Sequence, residues 1–343
     1  MKSKARYLLA LMALVAAFCA DAAGPSEMES GFGGRLGLGS IVANARTNMV
    51  SSVGFGLLQL SQAVPDSLNG QPKAHAGVLP VVALSLRYTF AQTGTQLFAG
   101  TVSGDALQFE DFLQGGARQA IGSAGTVSLA YLYGPPVKVW ADPYVAGVAR
   151  TETNRRSQGA RLVWERVLGS GMQVQYTLLN TTIDHEASGS FLGLGPDDTR
   201  LLQRGGDTHQ GEIRYSFTFA GAHQLTPAFV YTREDLHGKA MGAQGYDFKL
   251  RYALRVSAFQ LLMEGSIGRR VHDEPNPVFG RKQTDTRYSA SATALYRTPF
   301  GWAPFGHRRW SVFATAGYTA ADSDISFHSA SIFDAGVGVS MEF

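Results

Sequence analysis

The chain has 343 residues, a formal net charge of +3 at pH 7 and a single cysteine. One cysteine excludes a disulfide framework and a thiolate metal site. The near-neutral charge gives no electrostatic footprint for nucleic acid. After the N-terminal segment, no apolar run reaches the roughly 18 residues that identify a transmembrane helix.

The N-terminal segment, residues 1–22, is predicted to be a secretory signal peptide. It has a basic start, an apolar run shorter than the about 20 residues that span a bilayer, and a small-residue cleavage site. These features are Lys2, Lys4 and Arg6, residues 7–17, and Ala20-Asp21-Ala22. Cys19 follows Phe18, where a lipid-attachment site requires a small side chain, so lipidation is not expected. Residues 23–343 then form an exported chain without cysteine.

Alternating apolar and polar residues predict β-strands in the exported chain, because successive side chains of a strand point to opposite faces. The clearest segments are residues 82–90, 209–219, 244–255, 287–297 and 333–343. Within 244–255, Tyr246 and Phe248 share an apolar face, and Asp247 and Lys249 share a charged face. Stretches with the helical period of 3.6 residues are almost absent, which indicates an all-β protein.

The length of these segments favours a membrane barrel over a soluble β-sandwich. They run for about 10 to 13 residues, whereas soluble strands have about 5 or 6 and membrane strands about 9 to 11. Tyr and Phe lie at the ends of the apolar faces, where an aromatic girdle meets the lipid headgroups. We therefore predict a transmembrane antiparallel up-and-down β-barrel in the outer membrane of a Gram-negative cell, with lipid outside.

Fourteen strands are expected, and 12 or 16 remain open. Their centres are predicted near Gly37, Leu86, Phe98, Gly115, Leu129, Arg161, Tyr176, Tyr215, Phe229, Leu250, Met263, Ala292, Ala314 and Val337. Short turns are predicted at 92–94, 122–125, 169–171, 220–222 and 256–257. Longer polar connections alternate with them at 44–77, 134–147, 184–206, 234–243 and 272–283. Short periplasmic turns opposite longer outer loops are typical of such barrels, although 298–308 is long for a periplasmic turn.

An apolar stretch at 57–60 interrupts the first long connection. A plain loop is the favoured interpretation, with a fold-back into the pore or a short amphipathic helix as alternatives.

The inward face of the strands carries the candidate functional residues. They are Arg87, Arg161, Glu165, Glu212, Arg214, Asp247, Arg251, Arg255, Glu264, Arg270, Arg287 and Arg297. Basic rings in a pore favour anions, so the excess of arginine predicts a lumen with a mild anion preference. The alternative is that arginines and acids on neighbouring strands simply pair across the wall.

Enzyme chemistry and metal binding have weaker support. None of the pairs among the eight histidines has ligand spacing on one strand face, and most histidines are expected in loops. Asp197-Asp198, and Asp322 with Asp324, offer oxygen ligands for Ca²⁺, but solvated loop acids are the favoured interpretation. We expect no catalytic residues, no metal site and no cofactor.

Several short stretches resemble an uncharacterised, porin-like family of proteobacterial outer-membrane β-barrels catalogued as a domain of unknown function. The stretches are residues 95–100, 142–150, 201–208, 276–280 and 299–302. The resemblance covers most of the exported chain, departs from the family at 48–62, and implies the barrel and its compartment. It implies no substrate and no catalytic residue.

Three functional hypotheses follow from the sequence. The first is a porin-like channel for small solutes with a mild anion preference. The second is a non-conducting structural or surface-interaction barrel, blocked by paired charges and by the 44–77 connection. The third is an outer-membrane lipid-modifying or hydrolytic enzyme, which requires Ser, His and acid side chains to converge near one rim.

The last strand predicts a biogenesis partner. Its apolar face ends on Phe343 and contains Phe333, Ala335, Val337, Val339 and Met341. Such a strand resembles the signal that the barrel-assembly machinery of Gram-negative bacteria reads.

Overall fold

The computed structural model describes residues 30–53, 58–60, 64–65, 67–108, 110–301 and 309–343. Its strands are β1 (Gly31–Arg46), β2 (Val50–Val53), β3 (Leu58–Gln59), β4 (Ala74–Phe90), β5 (Thr95–Ser103), β6 (Asp111–Ala120), β7 (Thr126–Tyr133), β8 (Val137–Trp140), β9 (Glu152–Glu165), β10 (Met172–Ile183), β11 (Gly206–Tyr215), β12 (Phe217–Phe219), β13 (His223–Leu236), β14 (Ala243–Val256), β15 (Phe259–Asn276), β16 (Arg281–Arg297), β17 (Arg309–Ser323) and β18 (Ala330–Glu342). The single α-helix within these ranges is α1 (Pro196–Leu201). No helix among the described residues is long and apolar enough to cross a bilayer.

Fourteen of these strands close into an antiparallel barrel. Each wall strand pairs with the next along the chain, and the circle closes where β18 pairs with β1, from Arg35 opposite Glu342 to Arg46 opposite Ser331. Strand β12 continues β11 after a break, since both pair with β13. All fourteen predicted strand centres fall inside wall strands, which confirms the predicted fold and strand number.

The outside of the wall is apolar. Ile213, Phe248 and Val337 are each more than 50% exposed and do not line the lumen cavity, as the alternation predicted. Because a closed ladder leaves no strand edge in the hydrocarbon, every wall strand can satisfy its backbone there. The protein is therefore an outer-membrane barrel, with short turns at its periplasmic end and longer loops outside.

One predicted connection of the wall differs from the structure. The 272–283 loop is wrong, because β15 runs on to Asn276 and β16 starts at Arg281, which leaves only a four-residue turn. The strands extend beyond the bilayer here and keep pairing after a bulge between Val271 and Pro275. Most of the 298–308 connection, and the predicted signal peptide, lie outside the described residues, so both stay predictions.

The first long connection folds back into the barrel, contrary to the favoured interpretation of 57–60 as a plain loop. Within it, β2 pairs with β3 and also with β8, which extends the wall pairing of β9. Apolar side chains of this hairpin pack on an apolar part of the inner wall. The cluster contains Val50, Val53, Leu58 and Leu60 from the hairpin, Ile41, Ala43 and Ala45 from β1, and Leu79, Val81 and Ala83 from β4. Leu57 itself lies outside the described residues.

Near the middle of the wall, an aromatic ring fills the space left by two glycines on the closing pair of strands. Phe313 of β17 is 4% exposed, and its ring covers the lumen side of Gly39 and Gly338. A Cβ at Gly338 would collide with the Phe313 ring and with the Leu38 carbonyl oxygen. Glycine is therefore required at this close approach between strands.

The substitution Gly338→Ala is expected to lower the folded fraction of the barrel, because overpacking a tight site costs about 1–3 kcal/mol. The matched control is Gly115→Ala, where an added Cβ meets no atom within 4 Å. The measurement is the mobility shift between unheated and heated samples on a denaturing gel. Equal folded fractions for the two variants would contradict the packing described.

Candidate functional site: a charged lumen under an apolar cap

The barrel encloses one long cavity of about 1880 Å³. It reaches from Ser30 and Phe343 at the periplasmic end to Met241 and His328 beneath the outer loops. Eleven of the twelve candidate residues from the sequence line this cavity. The twelfth, Arg297, lies at the periplasmic end of β16, where its guanidinium donates to the Gln260 side chain at 3.3 Å.

A short turn between β5 and β6 crosses the lumen. The chain leaves the wall after Ser103 and rejoins it at Asp111, because β5 ends far short of the outer end of β4 at Ala74. The turn contains a 3-10 helix, Ala106–Gln108, which lies beside β17 and β18. Leu107 packs against the apolar cluster of the inner wall. We call residues 104–108 and 110 the crossing turn.

Ion pairs tie the crossing turn to the wall at both ends. Asp105 accepts a hydrogen bond from Arg287 at 2.8 Å and lies 3.7 Å from an Arg270 nitrogen. These arginines belong to β16 and β15, which are five and six strands away from β5 around the wall. At the other end, Arg155 of β9 binds Gln108 and lies 3.6 Å from Glu110.

Several wall arginines are also paired with acids. Arg251 lies 2.6 Å from Glu264, and Arg214 lies 2.6 Å from Glu212. Glu165 pairs with Arg118, a lumen residue that the sequence analysis did not select. Arg87 differs from these, because its side chain is exposed in the lumen and forms no ion pair or hydrogen bond with the described residues.

Charge is unevenly distributed along the barrel axis. Among the cavity-lining side chains that the structure describes, the periplasmic half has seven arginines and four glutamates: Arg35, Arg87, Arg118, Arg161, Arg214, Arg251 and Arg255, with Glu165, Glu212, Glu264 and Glu342. The outer half has five basic and six acidic residues: Arg155, Arg204, Lys249, Arg270 and Arg287, with Asp105, Glu110, Glu234, Asp247, Asp285 and Asp334. The periplasmic half is thus the positive end of the lumen.

An apolar cap covers the outer end. Six of the seven outer connections contribute to it, and the seventh is the crossing turn. Its buried side chains are Tyr144, Leu202, Ala240, Met241, Ile325 and Phe327, flanked by Met49, Leu68, Leu194, Leu201, Leu236, Val278 and Phe279. We call this cluster the cap.

Buried polar groups fix the loops of the cap. Asp142 accepts backbone hydrogen bonds from Tyr144 and Gly189 at 3.0 Å and from Phe191 at 2.9 Å. Arg204 pairs with Glu186 at 2.9 Å and donates to the Trp140 carbonyl oxygen at 2.7 Å. These contacts join the 141–150 and 184–205 loops into one unit.

A second cation in the cap is held by an aromatic ring. The Arg150 guanidinium lies 4.2 Å from the centre of the Trp140 ring and also donates to the Asn48 carbonyl oxygen. Burial lowers the pKa of Arg150 to about 10. Arg150 therefore joins the first outer loop, which contains Asn48, to the cap.

The sequence analysis did not predict the crossing turn or the polar groups of the cap. Some of the stretches that carry the family resemblance nevertheless coincide with the cap. Three of the five stretches that carry the family resemblance, 142–150, 201–208 and 276–280, meet there. They supply Tyr144, Leu202 and Phe279. The sequence gives no such indication for Asp105 and Glu110, because the pattern of a short charged connection is the same whether its side chains face solvent or the lumen.

The structure does not assemble the constellation that the enzyme hypothesis requires within the described residues. His272 contacts Asp285 at 3.5 Å and the Ala240 carbonyl oxygen at 3.0 Å, and no serine hydroxyl is hydrogen-bonded to its ring. In the described ranges, no group of three or more His, Cys, Asp or Glu side chains is arranged to hold a metal ion. Four of the histidines, His75, His209, His223 and His272, lie in strands rather than loops.

Comparison with known proteins gives one family. A model of a protein family of unknown function, DUF2860, matches residues 31–341, and no curated protein matches the chain. Among solved structures, a Pseudomonas aeruginosa FadL homologue is similar at 12% identity and a TM-score of 0.44, covering 91% of this chain and 89% of that one. The CymD monoaromatic hydrocarbon channel is similar at 9% identity and a TM-score of 0.42, covering 93% and 90%. At these scores the likeness carries no argument about this chain.

Loss of the Asp142 carboxylate is expected to loosen the cap. Asp142→Ala leaves three buried backbone donors without an acceptor, and each such group costs about 1–3 kcal/mol. Amide hydrogen exchange in the 184–205 loop should therefore become at least about tenfold faster. Asp197→Ala, in the same loop but 91% exposed at its side chain, is the control, and equal exchange in both variants would contradict the assigned role.

Proposed function

The chain belongs to this family of unknown function, and we propose that it forms an outer-membrane pore for small solutes whose periplasmic half favours anions. The observation that supports the proposal most directly is the excess of three arginines over glutamates on the periplasmic half of the lumen wall. Rings of basic side chains lower the energy of an anion in a pore. A narrow lumen with low-dielectric walls strengthens this effect, because it focuses the field of the charges.

Arg87 is the lumen cation best placed to meet a solute. The charges of Arg214 and Arg251 are compensated by ion pairs with Glu212 and Glu264. Arg87, by contrast, forms no ion pair with a described acid and is exposed in the cavity. Its planar guanidinium offers paired donors that fit carboxylate and phosphate oxygens. Small carboxylates and phosphates are therefore the solute class that we propose.

The crossing turn is proposed to set the size limit. It divides part of the lumen, and it is anchored on opposite walls through Asp105 and Arg155. Between these two anchors Leu107 packs on the inner wall. A solute must pass beside this turn.

The alternative is a non-conducting structural barrel, and the cap favours it. The cap buries Tyr144 and Leu202 completely and closes the outer mouth with six connections. The β2–β3 hairpin fills a further part of the outer lumen. A pore and a structural barrel differ in whether this cap opens, so recording of ion currents separates the two.

The folded protein in a planar bilayer under a KCl gradient is expected to give a reversal potential displaced toward that of Cl⁻. Arg87→Glu should move the reversal potential toward zero or toward that of K⁺, because it changes the lumen charge by two units. Arg156→Glu is the control, since Arg156 is at the outer rim with a side chain 52% exposed. No current from folded protein at either pH 8 or pH 5, or cation selectivity of the unaltered protein, would refute the proposal.

Release of the crossing turn should widen the pore. Asp105→Ala removes the carboxylate that holds Arg270 and Arg287, and loss of one partner from a buried ion pair costs about 3–5 kcal/mol. We expect a larger single-channel conductance and entry of larger sugars in a liposome-swelling assay. Asp198→Ala, on the exposed helix α1, should leave both unchanged, and an unaltered size limit in Asp105→Ala would show that the turn is not the constriction.

A further inference from the structure

The cap closes around a histidine. The Nε2 atom of His328 lies 3.4 Å from the Tyr144 hydroxyl oxygen and 3.5 Å from the Asn276 side-chain nitrogen. The rings of Phe279 and Phe327 stand edge-on to it, with centres 5.7 Å and 5.5 Å away. These neighbours come from three outer connections and the end of β15, so His328 lies where separate parts of the cap meet.

The surroundings of His328 favour the neutral ring. Burial in the cap, reinforced by His272 on β15 and Arg204 in the 184–205 loop, lowers the pKa of His328 to about 4, and Asp285 on β16 opposes this only in part. The Asp285 carboxylate is already engaged by His272 at 3.5 Å and by Gln283 at 2.9 Å. Tyr144, the other titratable group in contact, stays protonated because burial raises its pKa.

We propose that protonation of His328 releases the cap, so that the outer mouth opens in acid. A charged imidazolium at this place has two aromatic rings, a neutral hydroxyl and an amide nitrogen around it, and no carboxylate is hydrogen-bonded to it among the described residues. In the closed cap the ring is half-buried and borders the lumen cavity, and opening exposes it fully, so that water solvates the charge. The inference concerns regulation and rests on the proposed pore function for its biological meaning.

The direction of the effect follows from linkage. The closed cap favours neutral His328. The contribution of His328 to the stability of the closed cap is therefore fully present above the ordinary histidine pKa of about 6.5 and decreases as the pH falls toward 4. If the open cap leaves the ring fully solvated, the closed-to-open ratio drops about 30-fold between pH 8 and pH 5.

His272 differs from His328 in its contacts. It lies 3.5 Å from the Asp285 carboxylate and 3.0 Å from the Ala240 carbonyl oxygen in the cap. His328 has no such carboxylate beside it among the described residues. Separate substitutions of His328 and His272 therefore assign an opening in acid to one of the two.

The test uses thiol accessibility in the cap, which does not depend on conduction. The mature chain has no cysteine of its own if the predicted signal peptide is removed, so Ala240→Cys reports from a residue that is 0% exposed. Ser190→Cys, exposed in the 184–205 loop, is the matched reporter, and the ratio of the two labelling rates cancels the pH dependence of thiol chemistry. Leu202→Cys, also 0% exposed, serves as a second buried reporter should Ala240→Cys fail to fold.

The ratio of buried to exposed labelling is expected to rise at least tenfold from pH 8 to pH 5. Adding His328→Gln should abolish the rise, and adding His272→Gln should preserve it. A flat ratio, or a rise that survives His328→Gln, would overturn the inference. Single-channel recording at the same pH values keeps the two proposals separate: labelling that responds to acid without current refutes the pore alone, and current without an acid response in labelling refutes the His328 switch alone.

Discussion

The constraint on which the whole structure depends is that no backbone polar group can be left unbonded in hydrocarbon. Pairing of β18 with β1 over twelve residue pairs removes the last free edge. In the closed wall the outer face contacts lipid and the inner face contacts water, so apolar and polar side chains alternate along each strand. Apolar residues such as Phe248 and Val337 face lipid, and the charged residues face an interior that water can fill. The charge pattern of the lumen is thus a consequence of closure.

A circle of fourteen strands is too wide for side chains alone to fill, so the chain itself fills part of the interior. The crossing turn enters through the gap left by short β5 and β6, and the β2–β3 hairpin packs on apolar inner wall that a fully aqueous pore would not have. The cap occupies the outer end. The free space inside the barrel is therefore set by connections rather than by the wall strands. The wall supplies arginines, of which Arg270 and Arg287 are paired with the crossing turn and Arg87 is left exposed.

The period of two along each strand is why the sequence predicted the fold well. It located all fourteen wall strands and the lumen-facing positions of eleven cavity residues, since strand direction and side-chain face are local properties. The inward connections have no such period. Leu58 and Leu60 are two apolar residues in a polar connection, and their burial depends on contacts with β1 and β4 that are remote in the sequence. The same holds for Asp105, whose partners Arg270 and Arg287 lie more than 160 residues away.

The closing seam also fixes the order in which this molecule can be made. Arg35 and Glu342, which pair across the seam, are separated by 307 positions in the chain. Loop-closure entropy makes such a contact the most expensive in the wall to form first. The wall is therefore expected to stay open at this seam until the sixteen-residue first strand meets the thirteen-residue last one. Loss of the residues that pair near Glu342 would remove the partners of the N-terminal end of the barrel.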